Sequence, residues 1–503
     1  MEMKILVLGN ETDVTDQMVS TLANSNGLIN HGLISDKDFN PTLSGYYHTT
    51  VLDIPSGAIA HIAHKFDAVQ MLDQPKESYP HFKTFLTTLR LMSDLELDGV
   101  NVIYKENKSA NILTKWREYL KQNRSFCYAP FTTIVDNAGS TTICSKSYKP
   151  LHKIEFIRDW KTDPVYQEVR GKMLAGELLP DHCSDCYDRE KEGLEESARQ
   201  FETLEWAIKL SAETPEDFVQ LTNPYSVEIR PSNKCNIMCR MCDDGHSHLL
   251  EREWKEIGIP LSNWKFTNTP FDKLDFTHLQ RIYVGGGEPT VMPEFYEFLE
   301  QCISTGNTSF ELLIGTNGVK FSNKLVNLLD QFNNVTLAFS YDGYKQVNDY
   351  IRWKSDFDTM VENGRMLQEH GHTISLQTVF SMWNATSIHK IFEFFDREYP
   401  DSGLLVQVAN GYGGIYLPYN HPRPDLVLES MRLCQQTQVY YTNGRSIKSL
   451  VDLMVAHYSN PDYTVDVELL RKFYEFNDKL DKSRNCKLVD YIPELEEART
   501  LYL

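Results

Sequence analysis

Between about Leu221 and Pro418 short apolar runs recur along the chain, each followed by a segment whose apolar residues fall at helical spacing. The runs Ser226–Ile229, Arg281–Val284, Glu311–Ile314, Val335–Phe339, Ile374–Phe380 and Leu404–Val408 predict six strands, and the segments between them predict helices. Alternation of this kind predicts parallel strands in a βα repeat, with ligands taken beyond the strands' C-terminal ends. Six units in about two hundred residues suit an open, partial (β/α)6 TIM-like barrel better than a closed eightfold one.

Other patterns flank this repeat. Residues 1–111 read as a separate α/β domain, with strands at Lys4–Leu8, Asp67–Leu72 and Val100–Tyr104 and helices at Asp13–Ala23 and His81–Met92. No Gly-x-Gly-x-x-Gly follows the first strand, where Gly9, Asn10 and Glu11 stand instead, so the role of this domain stays open. Asp73-Gln74-Pro75 reads as a turn or a functional loop. Residues 116–200 form a small cysteine-rich module. In it, β-branched runs around Asp136-Asn137-Ala138-Gly139 predict a hairpin from Phe131 to Ile143, and a helix is predicted over Asp163–Ala175. The barrel is assigned to 221–420, and 424–503 reads as a helical, amphipathic C-terminal cap.

Composition narrows the class. A chain with 41% apolar and 24% charged residues builds a globular core, and no stretch reaches membrane-spanning length. The apolar run at the N-terminus is too short for a secretory signal, which predicts a cytoplasmic protein. A formal charge of −20 argues against nonspecific nucleic-acid binding, which needs Lys and Arg to neutralise phosphates. Ten cysteines without a signal point to thiolate metal ligands instead of disulfides. Cys302, Cys434 and Cys486 stand alone and read as buried apolar side chains.

Three other cysteines carry the chemistry. Cys235, Cys239 and Cys242, spaced Cys-x3-Cys-x2-Cys, follow the first strand of the repeat. A four-iron cubane takes four thiolates, one per iron, so a loop offering three leaves one iron open to a small molecule. Zinc prefers four ligands in paired Cys-x2-4-Cys arrangements, and His246 and His248 stand too near to complete a tetrahedral site. A redox Cys-x-x-Cys would leave the third cysteine surplus.

Further landmarks sit at the following strand ends. After the second strand comes Gly285-Gly286-Gly287-Glu288-Pro289, after the third Thr316-Asn317-Gly318, and after the fourth Ser340-Tyr341-Asp342-Gly343 with Tyr350-Ile351-Arg352 beyond. The fifth strand leads to Asn384, which is either a site residue or a helix N-cap for Ile388–Phe395. Over residues 221–420 this ordered set resembles the radical S-adenosylmethionine (SAM) superfamily. The resemblance implies a [4Fe-4S] cluster held by Cys235, Cys239, Cys242 and SAM. It places Gly286, Gly287 and Glu288 by the methionine amine, Ser340 by the ribose and Arg352 on the carboxylate, and it counts Pro289, Thr316, Asn317, Asp342 and Asn384 among the cofactor-binding residues. Gln407 and Asn410 would face the substrate.

Cys127-x11-Gly139-x4-Cys144 with Cys183-x2-Cys186 resembles the SPASM and twitch auxiliary-cluster modules. Two features depart from that pattern: the module precedes the barrel, and the long run of further SPASM cysteines is missing, which favours the one-cluster twitch type. Cys127, Cys144, Cys183 and Cys186 then imply a second [4Fe-4S] cluster, and a structural zinc is the alternative for four thiolates. The implied activity is reductive cleavage of SAM to a 5′-deoxyadenosyl radical. Hydrogen abstraction and oxidative modification of a peptide or small molecule would follow, fed by an electron donor such as flavodoxin or ferredoxin. The competing class is a non-catalytic iron–sulfur electron-transfer protein, which would have no use for the glycine and arginine landmarks.

Overall fold

The structure is a computed structural model. It describes the strands at 3–8, 28–34, 46–49, 68–71 and 101–104 and, from residue 108, all but 137–140, 148, 152–159, 193–196, 263–277, 401, 410–413 and 440–444. The chain divides into two compact units, one of residues 1–124, 198–217 and 441–444, the other of 125–197, 218–440 and 445–503.

The first unit holds five parallel strands, β1 (Met3–Leu8), β2 (Leu28–Ile34), β3 (Tyr46–Thr49), β4 (Ala68–Met71) and β5 (Asn101–Tyr104), in the order β3-β2-β1-β4-β5. Sequence pattern locates β1, β4 and β5 but misses β2 and β3. Asn30, His31 and Gly32 break the apolar run of the former, and His48 and Thr49 leave the latter half polar. The helices expected at 13–23 and 81–92, the loop after β1 and the turn Asp73–Pro75 lie outside the described residues. The helix Lys108–Gln122 packs on Ala198–Lys209, pinned where the Trp116 indole donates to Ala212 O at 2.8 Å. Both helices therefore belong with the first unit.

The second unit is built on an eight-stranded sheet. Its strands are β6 (Thr133–Asp136), β7 (Thr141–Thr142), β8 (Ser226–Ile229), β10 (Arg281–Val284), β11 (Glu311–Thr316), β12 (Val335–Ser340), β14 (Thr373–Phe380) and β15 (Leu404–Val408). The order is β15-β14-β12-β11-β10-β8-β6-β7. A separate pair joins β9 (Met238–Cys239) to β13 (Arg352–Trp353). The six predicted strands are present and parallel. A seventh joins them. β6 pairs in parallel with β8, Thr133 opposite Ser226 and Asp136 opposite Ile229, and the antiparallel β7 closes that edge. The hairpin of the cysteine-rich module is thus an extension of the barrel sheet, because backbone ladder bonds join it to β8. The turn itself, 137–140, lies outside the described residues.

Burial alternates residue by residue along β10, β11, β14 and β15, whereas β12 is buried along almost its whole length. Parallel strands covered on both faces read as unbroken apolar runs, so the alternation means that one face is not packed solid. Ile229, Ile282, Val284, Leu312, Ile314 and Leu376 enter the core with helix residues such as Phe295, Phe298, Leu299 and Cys302 at i, i+3, i+4 and i+7 of Pro293–Ser304. The other face carries Glu228, Tyr283 and Gln377 and lines the inside of the partial barrel. Beyond β15 the chain is helical at Pro424–Cys434, Arg445–Tyr458, Val467–Arg484 and Pro493–Tyr502. Among the described residues no helix is long and apolar enough to cross a membrane.

His421, fully buried where β15 gives way to these helices, accepts the Arg423 N–H at Nδ1, 3.1 Å away. Burial pushes its pKa down to about 3, so the native ring stays neutral while an unfolded chain takes up a proton near 6.5. Stability should therefore fall as pH drops from about 6.5 towards 3, by up to one proton's worth of slope. In His421→Gln the acid side of the curve should flatten, as read by unfolding midpoints between pH 3 and 7.

Candidate functional site

The parallel strands deliver their C-terminal loops to one edge, and the cysteine loop is the first of them. After β8 the chain runs through Arg230–Lys234 to Cys235 and then forms β9, whose Cys239 faces Arg352 of β13. The Cys235 N–H donates to His248 Nδ1 at 3.2 Å, and His248 opens the helix His248–Ile257 capped by Ser247. Cys235, Cys239 and Cys242 are half-buried, and each thiol's pKa is raised, that of Cys235 to about 12. Burial is the main cause. For Cys235 the neighbouring Cys239 and Glu288 add to it, and for Cys242 Asp243, Cys239 and Cys235 do. Three thiols therefore share one recess, and as bare side chains they would stay protonated there.

The glycine loop closes on this one with no room to spare. Gly287 N–H donates to Ser232 O at 2.9 Å and Glu288 N–H to Lys234 O at 2.7 Å. A Cβ at Gly287 would stand 2.1 Å from the Lys234 carbonyl oxygen, and one at Gly286, whose φ is +111°, 2.7 Å from Ser232 O. Pro289, buried, starts the short turn Pro289–Val291. Glu288 is buried with protein donors on both oxygens: Thr290 N–H, Thr290 hydroxyl and Thr316 hydroxyl reach Oε1, and Asn317 N–H reaches Oε2 at 2.6 Å. Burial raises its pKa against these donors. Glu288 thus clips the ends of β10 and β11 together, leaving Oε2 the less occupied oxygen. The Asn317 amide reaches on to Asn236 Oδ1 at 2.7 Å, inside the cysteine loop.

Beyond β12, Ser340 is half-buried at the strand end, and Asp342 is fully buried. Asp342 accepts Arg352 Nη1 at 2.6 Å on one oxygen and the Val379 N–H at 2.7 Å on the other. Burial works against the Arg352 charge, but the sulfurs of Cys239 and Cys235, once they are thiolates, and the Asp342 carboxylate outweigh it and raise its pKa. Arg352 Nε is buried and has no hydrogen-bond partner among the described residues. Asn384 is neither free nor a cap. Its amide donates to Asp342 O and Val379 O, its oxygen accepts from Ser381 N–H and hydroxyl, and Ser387 holds the N-cap position of Ile388–Glu398. With all four hydrogen-bonding positions used, this residue fixes the ends of β12 and β14 and has nothing left to offer a ligand. Gln407 is exposed on β15, and Asn410 lies outside the described residues.

The second cysteine set also converges. Burial, then Cys144, Cys183 and Cys186, raise the Cys127 pKa, so the other three thiols lie within electrostatic reach of Cys127. Cys183 and Cys186 share one face of the helix Pro180–Glu192, and Ser147 ties the Cys144 loop to it through His182 Nδ1 at 3.2 Å. Because β7 runs back against β6, Cys127 and Cys144 fall at the N-terminal edge of β6, whereas Cys235 follows the C-terminal end of its neighbour β8. Four strand residues, about 13 Å, separate the two levels.

Sequence reading passed over the residues between those levels. Register puts Val135, Glu228, Tyr283 and Leu313 in one cross-strand row on the inner face. Glu228 hydrogen-bonds Ser145, next to Cys144, and its pKa is raised by burial against Arg230 and Ser145. Tyr283 hydrogen-bonds Gln377, and burial raises its pKa too. Alternating polar residues within otherwise apolar strands were the available signal. Among the lone cysteines, Cys302 and Cys434 are fully buried in the core, but Cys486 is half-buried, with its sulfur 3.3 Å from Arg240 Nη2.

The donor set suits an iron–sulfur cluster. Among the described residues no group of His, Cys, Asp or Glu is arranged to hold a single metal ion. A cubane spreads its thiolates more widely, over separate irons. The unpartnered cationic Arg352 Nε beside Cys239 and Cys235 fits an anionic group at the open position.

Comparison with known proteins agrees for this part of the chain. Residues 229–395 match the family model of the Radical SAM superfamily. The mycofactocin maturase MftC of Mycobacterium tuberculosis is 29% identical over 215 residues, 41% of this chain and 48% of that protein. An uncharacterised protein of Methanothermobacter thermautotrophicus is 25% identical over 180 residues, 34% of this chain and 63% of that one. The chain thus spans about half the length of the maturase. Among solved structures, native anSMEcpe with bound AdoMet aligns at 18% identity and TM-score 0.32, covering 42% of this chain and 60% of that one. Streptococcus suis SuiB bound to precursor peptide SuiA aligns at 15% and 0.28, covering 62% and 64%. The radical SAM superfamily is supported for the barrel.

The glycine contact gives a direct test. Gly287→Ala must push the glycine and cysteine loops apart, and iron retained after anaerobic reconstitution should drop by at least half while far-UV circular dichroism stays native. Full loading would show that the two loops are not held in this register.

Proposed function

We propose that the chain is a radical SAM enzyme whose barrel holds a [4Fe-4S] cluster on Cys235, Cys239 and Cys242 and takes SAM at the open iron. The observation that carries this reading is the meeting, at one sheet edge, of three thiols, a glycine loop without room for a Cβ, and a buried arginine with an unpartnered Nε. When bound, the reduced cluster and SAM supply one-electron cleavage of a C–S bond and a primary carbon radical able to abstract hydrogen.

The chain's own residues do the rest. Arg352, held charged, offers its Nε to the SAM carboxylate, and the bidentate geometry of a guanidinium suits that group. Glu288 Oε2, which accepts a single protein donor, and the Gly286–Gly287 backbone would hold the ammonium. Ser340, at the end of β12, supplies a hydroxyl beside the nucleoside, while Asp342 and Asn384 fix the strand ends and do not touch the cofactor. Inside the barrel Glu228, Tyr283 and Gln377 provide donors and acceptors for a polar substrate, and the surrounding strands keep bulk water away.

Cys127, Cys144, Cys183 and Cys186 are proposed to hold a second cluster, placed across the chamber from the first to exchange an electron with the substrate. Their number supports a protein-ligated cluster with no open iron. The proposed substrate is a peptide, with a small polar molecule as the alternative, and a low-potential one-electron donor is required.

The test is anaerobic reconstitution with iron and sulfide. Wild-type protein should hold about eight irons per chain, four for each cluster, and release 5′-deoxyadenosine from SAM on reduction. Cys239→Ala should abolish that release, and turnover retained in this variant would remove the site from consideration. Cys183→Ala should lower the iron to about half and leave SAM cleavage measurable. Unchanged iron, or zinc in its place, would overturn the second cluster alone.

A further inference from the structure

Arg240 lies between two of the three cysteines, yet it points away from them. Its side chain is completely buried. Its backbone N–H donates to Ile351 O at 2.8 Å and its Nε to Tyr350 O at 2.9 Å, so it grips the two residues before Arg352 by their carbonyls. The guanidinium carbon lies 3.6 Å over the Tyr350 ring. Its other nitrogens face the helix Val467–Arg484: Nη2 meets Asp481 Oδ1 at 2.6 Å, and Nη1 meets Asn477 Oδ1 at 3.3 Å. Asp481 also accepts the Tyr350 hydroxyl at 2.9 Å, and Tyr491 stacks on Tyr350 with ring centroids 4.6 Å apart. A second buried pair, Arg484 with Glu253 at 2.7 Å, joins the same helix to the one that follows the cysteine loop.

We infer that Arg240 is the positioning residue for Arg352, and that the helix Val467–Arg484 contributes to the SAM site by fixing Arg240. Arg352 is the residue immediately after the two carbonyls that Arg240 holds, and it pairs through β13 with Cys239, the residue immediately before Arg240. The main chain and side chain of one residue thus set the distance between the cysteine loop and the arginine that meets SAM. Asp481 and Asn477 set the side chain. A lysine at this position keeps the charge but cannot reach a main-chain carbonyl and a carboxylate at once. Asp481→Asn keeps the shape but removes the charge that orients the fork.

The inference rests on the proposed function, and one experiment separates their failures. Reconstituted wild-type, Arg240→Lys and Asp481→Asn proteins are reduced, and the paramagnetic-resonance spectrum of the cluster is recorded over a SAM titration, with iron content and thermal midpoint measured alongside. In the wild-type protein SAM should change the spectrum. Arg240→Lys should retain its iron but need at least tenfold more SAM for the same change, and Asp481→Asn should shift in the same direction by less. Two iron-loaded variants with wild-type SAM response would overturn the inference and leave the function standing. Iron lost in both variants would overturn it as well, since Arg240 would then support the cysteine loop itself. No SAM response in iron-loaded wild-type protein would overturn the function, and the inference with it.

Discussion

Two residues of antiparallel backbone, Met238–Cys239 against Arg352–Trp353, hold this site together. They lie far apart along the chain, and a two-residue ladder is too short to persist alone. It survives because Arg240 bonds the carbonyls on either side of Ile351 Cα and is itself buried against Asp481 and Tyr350. Burying a guanidinium is costly unless its hydrogen bonds are made, and breaking such a pair by removing one partner costs on the order of 3–5 kcal/mol. The loop of cysteines therefore inherits the rigidity of the helix Val467–Arg484.

Close backbone approach does the same work on the other side of the recess. The glycine loop and the cysteine loop exchange main-chain hydrogen bonds at a separation that excludes even a methyl group at Gly287. Glu288, although acidic and at a candidate ligand edge, is engaged first by Thr290, Thr316 and Asn317. The strand ends are thus sewn to one another by buried carboxylates and amides, Glu288 at β10–β11 and Asp342 with Asn384 at β12–β14. Such preorganisation lets a few polar atoms face a ligand without the loops having to reorganise around it.

The inner face of the sheet has a different logic. In β10, β11, β14 and β15 residues alternate between a more and a less buried face, and the inner row brings Glu228 and Tyr283 side by side. The hairpin of the second cysteine set is hydrogen-bonded into that sheet, so Ser145 contacts Glu228 and the two cysteine sets share one chamber wall. Read as a chain, the cysteine-rich segment looks like a module of its own. Folded, it supplies two of the eight strands of one sheet.

What the sequence by itself determined was local and periodic. The six barrel strands could be located because two-residue alternation and helical spacing are properties of short windows, and the cysteine triplet because three ligands within eight residues must share a loop. The strands β2 and β3 escaped because Asn30, His31, Gly32, His48 and Thr49 leave no apolar run to detect. Only the tertiary structure decided that β6 lies beside β8, that Asn384 spends all its hydrogen bonds on protein, and that Arg240 reaches the helix Val467–Arg484. Each of these is a contact between segments distant in sequence. It is selected by which buried donor meets which buried acceptor once the core has formed, and no window of the chain carries that information.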